Sequence, residues 1–169
     1  VLPMARGTTL LDPTLDFCGS KYTSEADRVQ RRQVASYKTD SPYLFLSTEV
    51  VRYRSEAAAN IALQELKTHG NECLANGGGL ESGTFTKYSF ARFPGQTTGI
   101  LTSSSAFSVR VTIGEGLNVR HLLGFYQYRG ALFTGLYIVR PFDKPFTEDE
   151  VNRWMGVAEL MANRMNPNV

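Results

Sequence analysis

The sequence predicts one α+β domain: a mostly antiparallel β-sheet with two main α-helices packed on one face. Three observations predict it. Residues 119–128 and 131–139 alternate as two strands around Arg129-Gly130, a two-residue hairpin turn with glycine where φ > 0 is wanted. Two segments, beginning after Ser55 and after Thr147, place apolar residues at helical spacing behind a capping residue. The links between the other strands are of hairpin length, which favours antiparallel pairing.

Taken in order, residues 1–14 read as an N-terminal tail, and residues 15–169 as the domain. Asp12-Pro13 marks a turn, and Thr23–Arg28 suits one helical turn capped by Ser24. Residues 33–38 form a short strand, and Thr39-Asp40-Ser41-Pro42 a turn. Tyr43–Tyr53 is rich in β-branched and aromatic residues and forms a strong strand. The helix after Ser55 runs to about His69, with Ala58, Ile61, Ala62, Leu66, His69 and Cys73 on its stripe and Gly70 ending it. Asn76-Gly77-Gly78-Gly79 then forms a flexible loop. It lacks the GK[ST] ending and the strand-to-helix setting of a phosphate loop. Strands follow at 87–93, 98–104 and 108–113, before the hairpin. The final helix opens with a capping box, Thr147 and Glu150, and a staple of Phe146 onto Val151. Val151, Trp154, Met155, Ala158, Met161, Ala162 and Met165 form its apolar stripe, which packing explains better than a cofactor.

The composition is globular, with 42% apolar and 20% charged residues. The net charge is +2, and the one basic cluster, Arg28, Arg31 and Arg32, suits a solvated face better than a nucleic-acid footprint. Nothing approaches a membrane-spanning run of 18 apolar residues. The two cysteines, Cys18 and Cys73, lack metal-site spacing and are either bridged or two buried thiols. No cofactor or metal motif is present, and no nucleophile elbow. His69 and His121 stand without the partners of a triad, and Glu148, Asp149 and Glu150 are explained by the helix N-terminus they occupy. The expectation is a protein that is not an enzyme.

One feature points to a ligand. With the turn at Arg129-Gly130, Gly124 faces Gly135 across the hairpin, between Tyr126, Tyr128, Phe133 and Tyr137 on the same face. A glycine pair between aromatic walls predicts either a groove for a flat or apolar ligand or close approach of another segment.

Leu15-Asp16-Phe17-Cys18-Gly19, Tyr22-Thr23-Ser24-Glu25-Ala26-Asp27-Arg28 and Ser47-Thr48-Glu49-Val50-Val51-Arg52-Tyr53 carry a family resemblance, as does Phe146-Thr147-Glu148-Asp149-Glu150-Val151. From about Leu15 onward the chain resembles actinobacterial envelope lipoproteins and the extracellular sensor domains of PknH-like receptor kinases. The resemblance implies a sensor-like extracytoplasmic domain with a ligand cleft and no chemistry, anchored upstream by lipid or a membrane helix. It also implies that Cys18 is bridged, here to Cys73. The kinase sensors carry more than one disulfide and a kinase domain. Departing from both, this sequence is expected to be a free-standing lipoprotein or secreted protein. Its expected partner is a small molecule or another envelope protein, not a nucleic acid.

Overall fold

The computed structural model describes residues 2–7, 9–38, 44–141 and 143–165. The expected turn at Thr39–Pro42 and the first residue of the expected Tyr43 strand lie outside them. Nine strands and two α-helices are described: β1 (Leu2–Gly7), β2 (Arg28–Lys38), β3 (Leu44–Tyr53), α1 (Glu56–Asn76), β4 (Gly78–Glu81), β5 (Thr84–Phe90), β6 (Ile100–Thr102), β7 (Ala106–Ile113), β8 (Arg120–Arg129), β9 (Leu132–Pro141) and α2 (Glu148–Arg164). All pairings are antiparallel, in the order β1-β2-β3-β9-β8-β7-β5-β4. β6 pairs with Phe107–Val109 while β5 pairs with Val111–Ile113, so the two divide one edge of β7. The fold is α+β with an antiparallel sheet, as the sequence predicts.

The placement of the helices differs from expectation. They pack on opposite faces. α1 buries Ala59, Ala62, Leu63 and Leu66 in one core with Val51, Phe107, Val109, Tyr126 and Phe133. α2 buries Val151 and Ala158 in a second core with Leu123, Phe125, Leu136 and Ile138. The cause is in β8 and β9, which are apolar on both faces, so each face requires its own cover. In α1 the buried stripe runs through Ala59, Leu63 and Gly70, while Ile61 is exposed. Trp154 of α2 is only half-buried.

Both helix starts are as expected. Ser55 Oγ accepts from the Ala58 N–H at 3.1 Å, and Thr147 and Glu150 form the reciprocal capping box. The end of α1 is not. Gly70 lies mid-helix, where a Cβ would come within 2.6 Å of the Phe107 ring; it lets the helix settle onto the sheet. The helix ends at Gly77, left-handed with φ 67°, and the supposed loop continues directly into β4.

Residues 1–14 are not a tail where they are described. β1 pairs with the edge of β2, from Leu2 opposite Tyr37 to Gly7 opposite Gln33. Thr23–Asp27 forms a 3-10 turn, but Ser24 does not cap it; its hydroxyl donates to Glu65 of α1 at 2.6 Å. Cys18 and Cys73 are disulfide-bonded, with Cα atoms 6.2 Å apart. The bridge fastens the 3-10 turn Phe17–Gly19 to the last turn of α1 and against β4. A Cβ on Gly79 would fall 2.1 Å from the Cys18 carbonyl oxygen, so only glycine fits there.

The disulfide joins residues 55 apart. Replacing both cysteines by serine is expected to lower stability by about 4 kcal/mol in denaturant unfolding, from the loop closed in the unfolded chain. Phe133→Ala, at a wholly buried ring, is expected to lose about 3–5 kcal/mol. Trp154→Ala is expected to lose distinctly less.

Candidate functional site

The structure places the six hairpin residues on one face, as expected, but with a different register. The turn is centred on Gly130 and Ala131, with Arg129 opposite Leu132. The two-residue shift preserves the faces and changes the partners: Gly124 lies opposite Tyr137, and Gly135 opposite Tyr126. The glycines do not leave a groove. A Cβ on Gly135 would sit 2.5 Å from the Tyr137 hydroxyl, and one on Gly124 would sit 3.1 Å from the Tyr126 ring. The tyrosine rings fold over the glycines and pack edge to face, with centroids 5.3 Å apart. Tyr126 and Phe133 are buried in the core shared with α1, and Tyr128 packs at its margin. The predicted open groove over Gly124, Tyr126, Tyr128, Phe133, Gly135 and Tyr137 is therefore core.

The same face opens further along. A cleft of about 580 Å³ lies beyond the cover of α1. Its floor is Phe45, Ser47 and Glu49 of β3, Tyr137 and Val139 of β9, Leu122 and Tyr126 of β8, and Ile113 of β7. Pro13, Thr14, Asp16, Phe17 and Gly19 form one wall; Tyr88 of β5, Glu81 at the end of β4 and Ser82 in the turn after it form another. Two of the six predicted residues, Tyr126 and Tyr137, thus reach the cleft from below. The volume falls within the range of small-molecule sites.

The first wall begins in a strap, residues 9–15, held by side chains rather than by ladder bonds, and continues into the 3-10 turn Phe17–Gly19. Arg28 donates to the carbonyls of Leu10 and Asp12, both at 2.8 Å, and to Thr14 Oγ1 at 2.9 Å. Glu25 accepts from the N–H groups of Thr14 and Leu15 at 2.8 and 3.1 Å. The Tyr137 hydroxyl donates to the Thr14 carbonyl at 3.3 Å, and Thr14 Oγ1 donates to Glu49 at 3.1 Å. Glu49 in turn pairs with Arg31, both side chains 2% exposed. Burial holds the Glu49 carboxyl above its usual range, although Arg31 works against the rise. The arginine cluster is therefore not a solvated face. Arg28 and Arg31 point inward, and Arg32 alone is exposed.

Across the cleft, the Tyr88 hydroxyl donates to Glu81. Asp16 is exposed at the rim of the cleft, and its pKa is raised by partial desolvation there and then by the nearby charge of Glu81. Among the described residues no ion pair includes Asp16 or Glu81. Among the described residues Arg120 is the one cation lining the cleft, and it is exposed.

The histidines stand elsewhere. The His69 ring lies edge-on to Tyr22 at 5.0 Å, with Nδ1 3.0 Å from Glu72. Cys73 beside it is bridged and offers no thiol. His121 Nδ1 lies 3.0 Å from Thr112 Oγ1. Thr14, Asp16, Glu49 and Glu81 were not anticipated. Only Glu49 left a signal, an acid at the same strand parity as Val51 and Tyr53.

No family model matches this chain, and no curated protein matches it. Among solved structures, the extracellular domain of PknH from Mycobacterium tuberculosis is similar, with a TM-score of 0.59. The match covers 90% of this chain and 84% of that one, at 14% identity. At that identity the likeness establishes a shared fold.

Arg31→Met is expected to destabilise the protein by about 3–5 kcal/mol, because Glu49 stays buried without its partner; adding Glu49→Met should restore much of the loss. Denaturant unfolding of the single and double variants checks both. The raised Asp16 carboxyl binds its proton more tightly folded than unfolded. Its contribution to stability is therefore full below the unfolded pKa and fades as pH rises through the folded one. Relative to Asp16→Asn, the wild type should lose stability across that rise. A constant difference between the two pH profiles would contradict it.

Proposed function

We propose that this protein is a non-enzymatic ligand-binding or sensor module of the cell envelope, a lipoprotein facing outward from the cytoplasm. The observation that carries the proposal is the cleft of about 580 Å³, walled by the strap and floored by the sheet face that α1 leaves uncovered. Apolar side chains, Phe45, Leu122, Ile113 and Val139, supply its contact area. Tyr88, Ser47 and Gln33 supply a few convergent polar groups, the usual division of labour in a small-molecule site. The Cys18–Cys73 bridge supports an oxidising compartment. The fold shared with the extracellular domain of PknH supports the same placement and the sensor assignment.

The neutral fluorophore N-phenyl-1-naphthylamine tests the site, because its emission rises in an apolar cavity. Saturable binding at one site per chain is expected. Val139→Trp, which fills the floor of the cleft, should abolish it while leaving the unfolding midpoint nearly unchanged. No saturable binding, or undiminished binding to the folded variant, would overturn the assignment.

A further inference from the structure

The cleft is apolar and aromatic below and unevenly charged at its walls. Of its three acidic residues, Glu49 is neutralised by Arg31 and by the Thr14 hydroxyl. Asp16 and Glu81 are not neutralised; the charge that acts most on Asp16 is the like charge of Glu81. Asp16 also lies close enough to Tyr22, Tyr88, Tyr126 and Tyr137 to act on all four phenols. Glu81 is fixed in place by the Tyr88 hydroxyl. Two like charges that line one cleft and act on each other repel, and a cation between them relieves the repulsion. The cavity beneath the pair is independent of the acids and already sized for a small organic molecule, and aromatic side chains in its lining favour a cation further.

We propose that the cleft selects a small molecule joining an apolar or aromatic body to a protonated amine. Resting on the assignment of this cleft as the ligand site, the proposal places the body on Leu122, Tyr137 and Val139 and the ammonium between Asp16 and Glu81. A primary ammonium has three donors and no acceptor, which matches two carboxylates that lack a cationic partner. Arg120, exposed at the cleft, disfavours a second positive charge at its end of the ligand.

Two probes of nearly equal shape separate charge from cavity. Monodansylcadaverine carries a protonated amine; its N-acetyl derivative is neutral. Titrated by dansyl fluorescence at low ionic strength, the amine is expected to bind at least about tenfold more tightly, a difference of ~1.4 kcal/mol. Asp16→Asn with Glu81→Gln should reduce that preference to within about twofold, by weakening the amine and leaving the acetyl probe unchanged. A thermal unfolding midpoint at or above that of the wild type would show the variant folded. If the double variant does not fold, the wild type still decides: raising salt should erode the affinity of the amine and not that of the acetyl probe. Equal affinities overturn the amine preference while leaving the cleft as a ligand site. A preference that survives the double substitution, or that persists in Val139→Trp, overturns it as well. Failure of both probes to bind overturns the amine preference and the ligand site together.

Discussion

The buried pair of Arg31 and Glu49 is the constraint on which the cleft depends. Neither group is stable alone so far from water, and the pair is acceptable only because its spare donors and acceptors are used. Glu49 takes the Thr14 hydroxyl, and Arg31 reaches Gln33 at 2.9 Å, which in turn donates to Ser47 at 3.1 Å. These partners fix the strap and the strand floor in one network. Arg28 and Glu25 extend it, so that four charged side chains hold a segment that has no ladder partner of its own.

Around that polar centre the apolar layers divide the work. α1 and α2 cover opposite faces of β8 and β9, and the disulfide closes the end of the α1 layer. Because α1 spans only part of its face, the rest of the sheet is left for the strap. The cleft lies beyond the end of the α1 layer, between the strap side and the turn that joins β4 to β5. Its position follows from helix placement as much as from the residues that line it.

The elements with strong periodicity were legible: β3, β8, β9, both helix starts and the capping box could be placed from local chemistry. What sequence did not disclose was long-range. Gly70 has the local chemistry of a helix end, and only the close Phe107 ring shows why it lies mid-helix. The hairpin turn is centred one residue beyond Arg129-Gly130, which moves the register by two and sets tyrosines against glycines. The candidate site suffered most, since six residues read as a groove form mainly a core. The true cleft is assembled from segments as far apart as Thr14 and Val139, and no window along the chain contains it. The arginine cluster departs from a solvated face for a related reason: alternation in β2 turns Arg31 inward, and its buried partner lies 18 positions away.

The strap also has a mechanical meaning. It is the stretch of backbone between edge strand β1 and the disulfide-clamped turn at Cys18. A pull applied through β1 would first part its ladder with β2, and would next bear on the guanidinium contacts of Arg28 and Arg31 before it reached the cystine. The contacts that anchor the strap are also the ones that set one wall of the cavity.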